Sequence, residues 1–180
     1  MEWKEVAATP CPVASALDLF GDRWSMLIIR DVMNGVRRFD DLIDRLEISR
    51  ATLSDRLRRL TEATILKTVD YTDGRGRVRS EYRLTQRGWD LQFVLVALRE
   101  WGDKHALGEG NEPLRLVAAG SGRDVRLALF DTSSGELVDS RKVELVPGPA
   151  FKTSGSRRNS DPNERPEVDK EQRSEAGCDG

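Results

Sequence analysis

The sequence predicts a mainly α fold with a β wing, a winged helix-turn-helix, extended by a small C-terminal β appendage and a disordered tail. Three observations carry that prediction. A succession of short amphipathic helical patterns fills residues 12–62. A turn-rich run with alternating arginines, Thr72-Asp73-Gly74-Arg75-Gly76-Arg77, separates two β-prone segments. Beyond Gly108 helical periodicity gives way to short strand-like runs and then to an almost wholly polar tract. The expected divisions are the winged helix-turn-helix domain at 1–107, the β appendage at 108–151 and the disordered tail at 152–180.

Each element follows from local chemistry. Pro10 and Pro12 exclude helix around Cys11, after which Val13–Phe20 can form a short helix ended by Gly21. Asp22 can cap a second helix, in which Trp24, Leu27, Ile28 and Val32 form an apolar stripe widened by Met26, Ile29 and Met33, with Gly35 as its stop. Phe39, Leu42, Ile43 and Leu46 repeat the helical spacing against Asp40, Asp41, Asp44 and Arg45 on the other face. Ser49 is a good N-cap for a further helix whose inner face is Leu53, Leu57 and Leu60. Two short helices with so brief a connection have helix-turn-helix geometry. Lys67–Tyr71 and Ser80–Leu84 are the strands of the wing, and Thr85 can cap a last long helix from Gln86 to about Ala106. In the appendage, Leu114–Ala118, Val125–Asp131 and Glu136–Val146 read as three short strands.

The 180 residues, 38% of them hydrophobic, suit one well-buried domain with an appendage. No secretory signal or bilayer-length apolar run is evident, so a cytoplasmic, membrane-free protein is expected. Cys11 and Cys178 lie near opposite ends, unlike a disulfide framework. The formal net charge is −2, yet between Ser49 and Arg87 ten basic residues face five acidic ones, a local excess of +5. Such concentration is the electrostatic footprint of a duplex-DNA partner.

On the proposed recognition helix, with its leucines inward, Ala51, Asp55, Arg58 and Glu62 point furthest outward, flanked by Thr52, Ser54 and Arg59. The N-terminal part of such a helix meets base edges. Arg50, Ala51, Thr52 and Ser54 are therefore the expected readers beside the cap Ser49, and Asp55 can accept from a cytosine amine. Arg56, Arg58 and Arg59 are expected on phosphates, and Arg75, Arg77 and Arg79 of the wing on the backbone or in a minor groove.

The runs Cys11-Pro12-Val13, Leu17–Gly21, Trp24, Ile28, Arg37–Leu42, Leu53–Leu57 and Tyr82–Gly88 resemble, in order, the HxlR-type regulators, relatives of the MarR winged-helix proteins. The resemblance covers residues 11–105. It implies a homodimer on a pseudo-palindromic operator that controls nearby genes, most simply as a repressor. Dimerisation would fall to the first helix, with Val13 and Leu17, and to the last, with Leu91, Val94, Leu95, Leu98 and Trp101. Those last-helix residues independently form an apolar face too broad for so small a domain to cover.

Two departures from the family stand out. Thr64 takes the place of a glycine at the end of the recognition helix, and the wing carries Gly74-Arg75-Gly76-Arg77 where prolines are common. The appendage, ending in Val146-Pro147-Gly148-Pro149, resembles a zinc-ribbon-like module of some members, but Asp131 and Ser134 stand where a cysteine pair would be. A metal-free version, without cofactor, is expected. Cys11 resembles the N-terminal cysteine through which some members sense oxidants or electrophiles, which makes it the redox-sensing candidate and leaves a small-molecule effector open. His105 has no metal-ligand spacing, and no catalytic constellation or phosphate loop is present, so no enzyme is expected. The competing reading is a winged helix used as a protein-interaction module, with its arginines serving an acidic partner.

Overall fold

Side-chain caps set the starts of most of the helices in the computed structural model, which describes residues 11–108 and 110–149. The first ten residues of the expected 1–107 domain, the expected tail at 152–180 and Cys178 lie outside the described residues. Cys11 caps α1 (Pro12–Phe20), with Pro12 in the first turn, where its missing N–H costs nothing. Asp22 caps α2 (Arg23–Met33) by accepting the Trp24 and Ser25 N–H groups at 3.1 Å each. The chain continues through α3 (Phe39–Leu46) to α4 (Arg50–Glu62), whose cap is Ser49 as expected. Then come β1 (Leu66–Thr72) and β2 (Val78–Leu84), paired antiparallel from Leu66↔Leu84 to Thr72↔Val78. The wing is thus longer than the sequence pattern suggested, because the hairpin register carries pairing right up to the turn.

The core is the common interior of these elements. Ile28, Ile29 and Val32 of α2 meet Leu42 and Leu46 of α3 and the Leu53, Leu57 and Leu60 face of α4, closed below by Ile65, Leu66 and Leu84. Trp24, Met26, Leu27 and Met33 pack only partly against it. One buried charge was not foreseen: Asp31, 1% exposed, pairs with Arg30 at 2.8 Å and with Arg45 of α3 at 3.2 Å. Its backbone carbonyl also accepts the Val36 N–H at 2.9 Å. A buried carboxylate must be paired to be tolerated, and this pairing ties α3 to α2.

The single long helix expected from Gln86 to Ala106 is interrupted. It runs as α5 (Gln86–Trp89), then α6 (Gln92–Gly102), and loosens into a π-helical stretch at Asp103–Leu107. At the break the Leu91 N–H bonds the Gly88 carbonyl, at 3.3 Å, in the tighter i→i+3 pattern. The cause lies in packing. A Cβ on Gly88 would stand 2.3 Å from the Ile65 carbonyl oxygen, so α5 lies hard against the start of β1, while Leu91 turns into the core.

The appendage keeps far less strand than its sequence pattern suggested. A Val117↔Asp124 bridge and the two-residue pair β3 (Leu129–Phe130) with β4 (Leu137–Val138) are its pairings among the described residues. Polar turns bond some of the other backbone groups. Asp131 accepts the N–H groups of Ser133 and Ser134 at 2.8 and 2.9 Å, and Asp139 opens a 3₁₀ turn at Ser140–Lys142.

Candidate nucleic-acid interface

The first turn of α4 is built by Ser49, whose hydroxyl accepts the Thr52 N–H at 3.1 Å and lies 2.8 Å from the Thr52 hydroxyl. Arg50, Ala51, Ser54, Arg58 and Arg59 are exposed along one side of the helix, and Thr52 and Asp55 are half-buried beside them. The arginines differ in their company. Arg50 donates to Asp40 of α3 at 3.0 Å and lies 5.0 Å from the centre of the Phe39 ring. Arg58 bridges Asp55 at 2.7 Å and Glu62 at 3.0 Å, and the hydrogen bond to Glu62, then that to Asp55, pushes its pKa still higher. Arg59 stays exposed.

Arg56 does not join this surface. Its side chain is 23% exposed and its guanidinium lies 3.0 Å from Asp22 and 2.8 Å from Asp55, so it links α4 to the cap of α2. Burial pushes the Asp22 carboxyl up, but the hydrogen bonds from Ser25 and Trp24 and the charge of Arg56 together hold it below its ordinary value.

In the wing, one carboxylate organises the tip. Asp73 accepts the Arg75 and Arg77 N–H groups at 2.9 and 3.0 Å and the Arg79 guanidinium at 3.0 Å, with Arg77 a further contact at 3.5 Å. The backbone bond from Arg77 contributes most to holding its pKa down. Gly76, at φ 74°, supplies the left-handed residue that closes the loop, and Arg75, Arg77 and Arg79 are all exposed around it. Sequence reasoning missed Asp73. An aspartate two residues ahead of the arginine in Asp-Gly-Arg-Gly-Arg is a signal for such a side-chain-to-backbone turn.

Two further features escaped it. Arg38 lies 4.7 Å from the centre of the Tyr71 ring, and an open cleft of about 450 Å³ runs between the start of α3 and the wing, lined by Arg38, Phe39, Asp40, Tyr71, Asp73 and Arg79 among others. The joint between α4 and the wing is also unusually well bonded. Thr64 adopts φ 55°, a left-handed conformation that favours glycine, and the Ile65 N–H reaches back to Leu60 O at 2.9 Å. Arg87 donates to Ala63 O at 2.9 Å and Thr85 to Thr64 O at 2.6 Å, so two residues of the β2–α5 junction brace the strained turn.

Together these make a capped helix with an exposed arginine-bearing side beside a braced arginine-tipped hairpin. Residues 19–109 match the family model described as HxlR-like helix-turn-helix. The chain belongs to the HxlR-like helix-turn-helix family. Among its relatives is Rv3095 of Mycobacterium tuberculosis, an uncharacterized HTH-type transcriptional regulator, 41% identical over 140 residues that span 78% of this chain and 87% of the relative. The HTH-type transcriptional regulator YodB of Bacillus subtilis is 34% identical over 98 residues, 53% of this chain and 86% of its own. The crystal structure of PA1607, a candidate transcription factor, is similar with a TM-score of 0.69 and 34% identity, covering 78% of this chain and 97% of the other.

HxlR-like proteins are transcriptional regulators rather than enzymes, and this chain is one of that class. A match of 140 residues within a chain of 180 must extend past residue 139, so the likeness to the mycobacterial relative runs through the strands of the appendage. Among the described residues no helix is long and apolar enough to cross a membrane, and no three metal-binding side chains gather.

The remaining expected site residues lie elsewhere. Cys11 is half-buried, and its sulfur accepts the Ala14 N–H at 3.4 Å in capping α1. Val13 and Leu17 on α1 and Val94, Leu98 and Trp101 on α6 are exposed, as is Phe93, which the sequence pattern did not single out. Leu91 faces the chain's own core and Leu95 packs partly on it.

Proposed function

We propose that this HxlR-like regulator acts as a homodimer on a pseudo-palindromic operator, repressing nearby genes, with α4 in the major groove and the wing beside it. The observation that supports this best is the placement of the Arg50–Arg59 side of α4 and the Arg75–Arg79 tip on two elements joined by the braced Thr64 turn. Ser49, Arg50, Ala51, Thr52, Ser54 and Asp55 face base edges. Arg58, Arg59, Arg75, Arg77 and Arg79 neutralise phosphates or enter a narrow minor groove. Arg56 holds α4 in place from behind.

The exposed apolar residues Val13, Leu17, Phe93, Val94, Leu98 and Trp101 supply the two-fold contact. Trp101→Glu should convert the dimer to monomer in sedimentation velocity and weaken binding to a two-half-site duplex far more than to a single half-site.

A gel-shift titration against the chain's own upstream region tests the DNA reading. A shift that weakens steeply with salt is expected. Replacing Arg50 should relax sequence preference, while replacing Arg77 should weaken all duplexes alike. Absence of any salt-sensitive shift, there or on genomic fragments, would favour the protein-interaction module instead.

Cys11 provides the control input in this proposal. Its thiol sits at the start of α1, an element of the same dimer face, where addition of an electrophile or oxidant changes packing directly. Unchanged operator affinity after stoichiometric alkylation of Cys11 would remove that part.

A further inference from the structure

We infer that Asp40 and Phe39, at the start of α3, are positioning residues that aim Arg50 at a base edge and so set part of the sequence specificity. The inference rests on the DNA reading proposed above. An arginine at the first turn of an exposed helix has many rotamers to lose on binding, and whatever restrains it beforehand reduces that cost. Here two contacts restrain it from different directions. The guanidinium lies 5.0 Å from the Phe39 ring centre, and one terminal nitrogen donates to the Asp40 carboxylate at 3.0 Å. Its other N–H groups have no protein partner among the described residues. They are the groups a guanine edge would need.

The other arginines of α4 lack this combination. Arg58 has its guanidinium committed to both Asp55 and Glu62, Arg56 is turned inward onto Asp22, and Arg59 has no ion pair among the described residues. Arg50 alone on α4 is exposed, aimed and only partly engaged.

Folding does not account for the pair. Both side chains are mostly exposed, and ion pairs of that kind add little to stability. A carboxylate beside the path of a phosphate backbone also opposes general affinity. Asp40 therefore trades non-specific attraction for direction of Arg50, which is the pattern of a specificity determinant.

The test uses the full chain and a pool of duplexes with a randomised core. Selection with the wild type and with Arg50→Ala identifies the base pair that depends on Arg50. At that base pair Asp40→Asn should lower discrimination roughly fivefold to tenfold, within the range of one bidentate arginine–guanine contact. Binding to a non-cognate duplex should be equal or tighter, and the thermal midpoint unchanged. Asp40→Glu should restore part of the discrimination, and adding Asp40→Asn to Arg50→Ala should cost nothing more at that position. Wild-type discrimination in Asp40→Asn, or an equal loss at every base pair, overturns the inference. If the wild type itself enriches no sequence, the DNA reading beneath it fails first.

Discussion

The helical body and the appendage of this regulator are ordered by different means. In the body, α1 to α4 and both wing strands each deliver a side chain to one shared interior. In residues 110–149 not one described side chain is buried, and Leu114, Phe130, Leu137 and Leu145 stand mostly exposed. What shapes that segment is local and polar: Asp131 and Asp139 fold turns onto their own backbone, and Arg115 donates to both carboxylate oxygens of Asp124. Two hydrogen bonds tie it to α6, from Leu127 N–H to Glu100 at 2.8 Å and from Arg99 to the Leu114 carbonyl. Long-range burial makes a cooperative unit, whereas a chain of local turns gives order without much resistance to opening.

The widest separation between the two regions is expected from truncating one leucine in each. Leu57→Ala should cost about 2–5 kcal/mol in urea unfolding, because Leu57 is 1% exposed at the centre of the core. Leu129→Ala should stay within about 0.5 kcal/mol. Equal costs would mean that the appendage shares the core's cooperativity. Gly88→Ala comes next, since its methyl would strike the Ile65 carbonyl; a loss of about 1–3 kcal/mol is expected by the same measurement, and no loss would remove the packing account of the α5 break.

A smaller effect of opposite sign is expected at the brace. Thr64→Gly relieves a branched residue at φ 55° and should raise stability by about 1 kcal/mol, with a drop instead showing that its hydroxyl bonds outweigh the strain.

Acid gives the mildest contrast. Asp124, held down first by its bond from Arg115, Asp131 by the Ser134 N–H and Asp139 by the Arg141 side chain all sit below the ordinary 3.8 in the folded chain. A lowered carboxylate supports the fold above its unfolded value and loses that support as pH falls through the folded one. Amide protection factors, corrected for the intrinsic pH dependence of exchange, should therefore hold in the appendage from pH 7 to 5 and fall below pH 4, ahead of the buried amides of α2–α4. Simultaneous opening would contradict the separation.

The body was largely legible in the sequence because its signals are local and mutually consistent: Asp22 and Ser49 as caps, Leu53, Leu57 and Leu60 on one face, and glycine-bearing turn chemistry in the wing. The α5 break was not, since nothing in the periodicity of residues 86–106 reports that Gly88 lies against a distant carbonyl. The strands of the appendage were overestimated because apolar runs promise pairing only where a partner strand or a core exists. At the candidate interface the arginines were visible by type, but not which carboxylate each meets. Asp40 with Arg50 and Asp22 with Arg56 lie far apart along the chain, so only the fold brings them together. Asp31 was missed for the same reason, its partner Arg45 belonging to the next helix.

The bracing of Thr64 by Thr85 and Arg87 reaches beyond stability. A helix and a hairpin bonded at their shared corner behave like the fixed jaws of a calliper, whose opening belongs to the protein. If those jaws take hold of two neighbouring grooves, the duplex must conform to their spacing. Base steps that twist or compress at low cost would then be preferred even where no side chain touches them, so the regulator would choose sites by the pliability of DNA as well as by its letters.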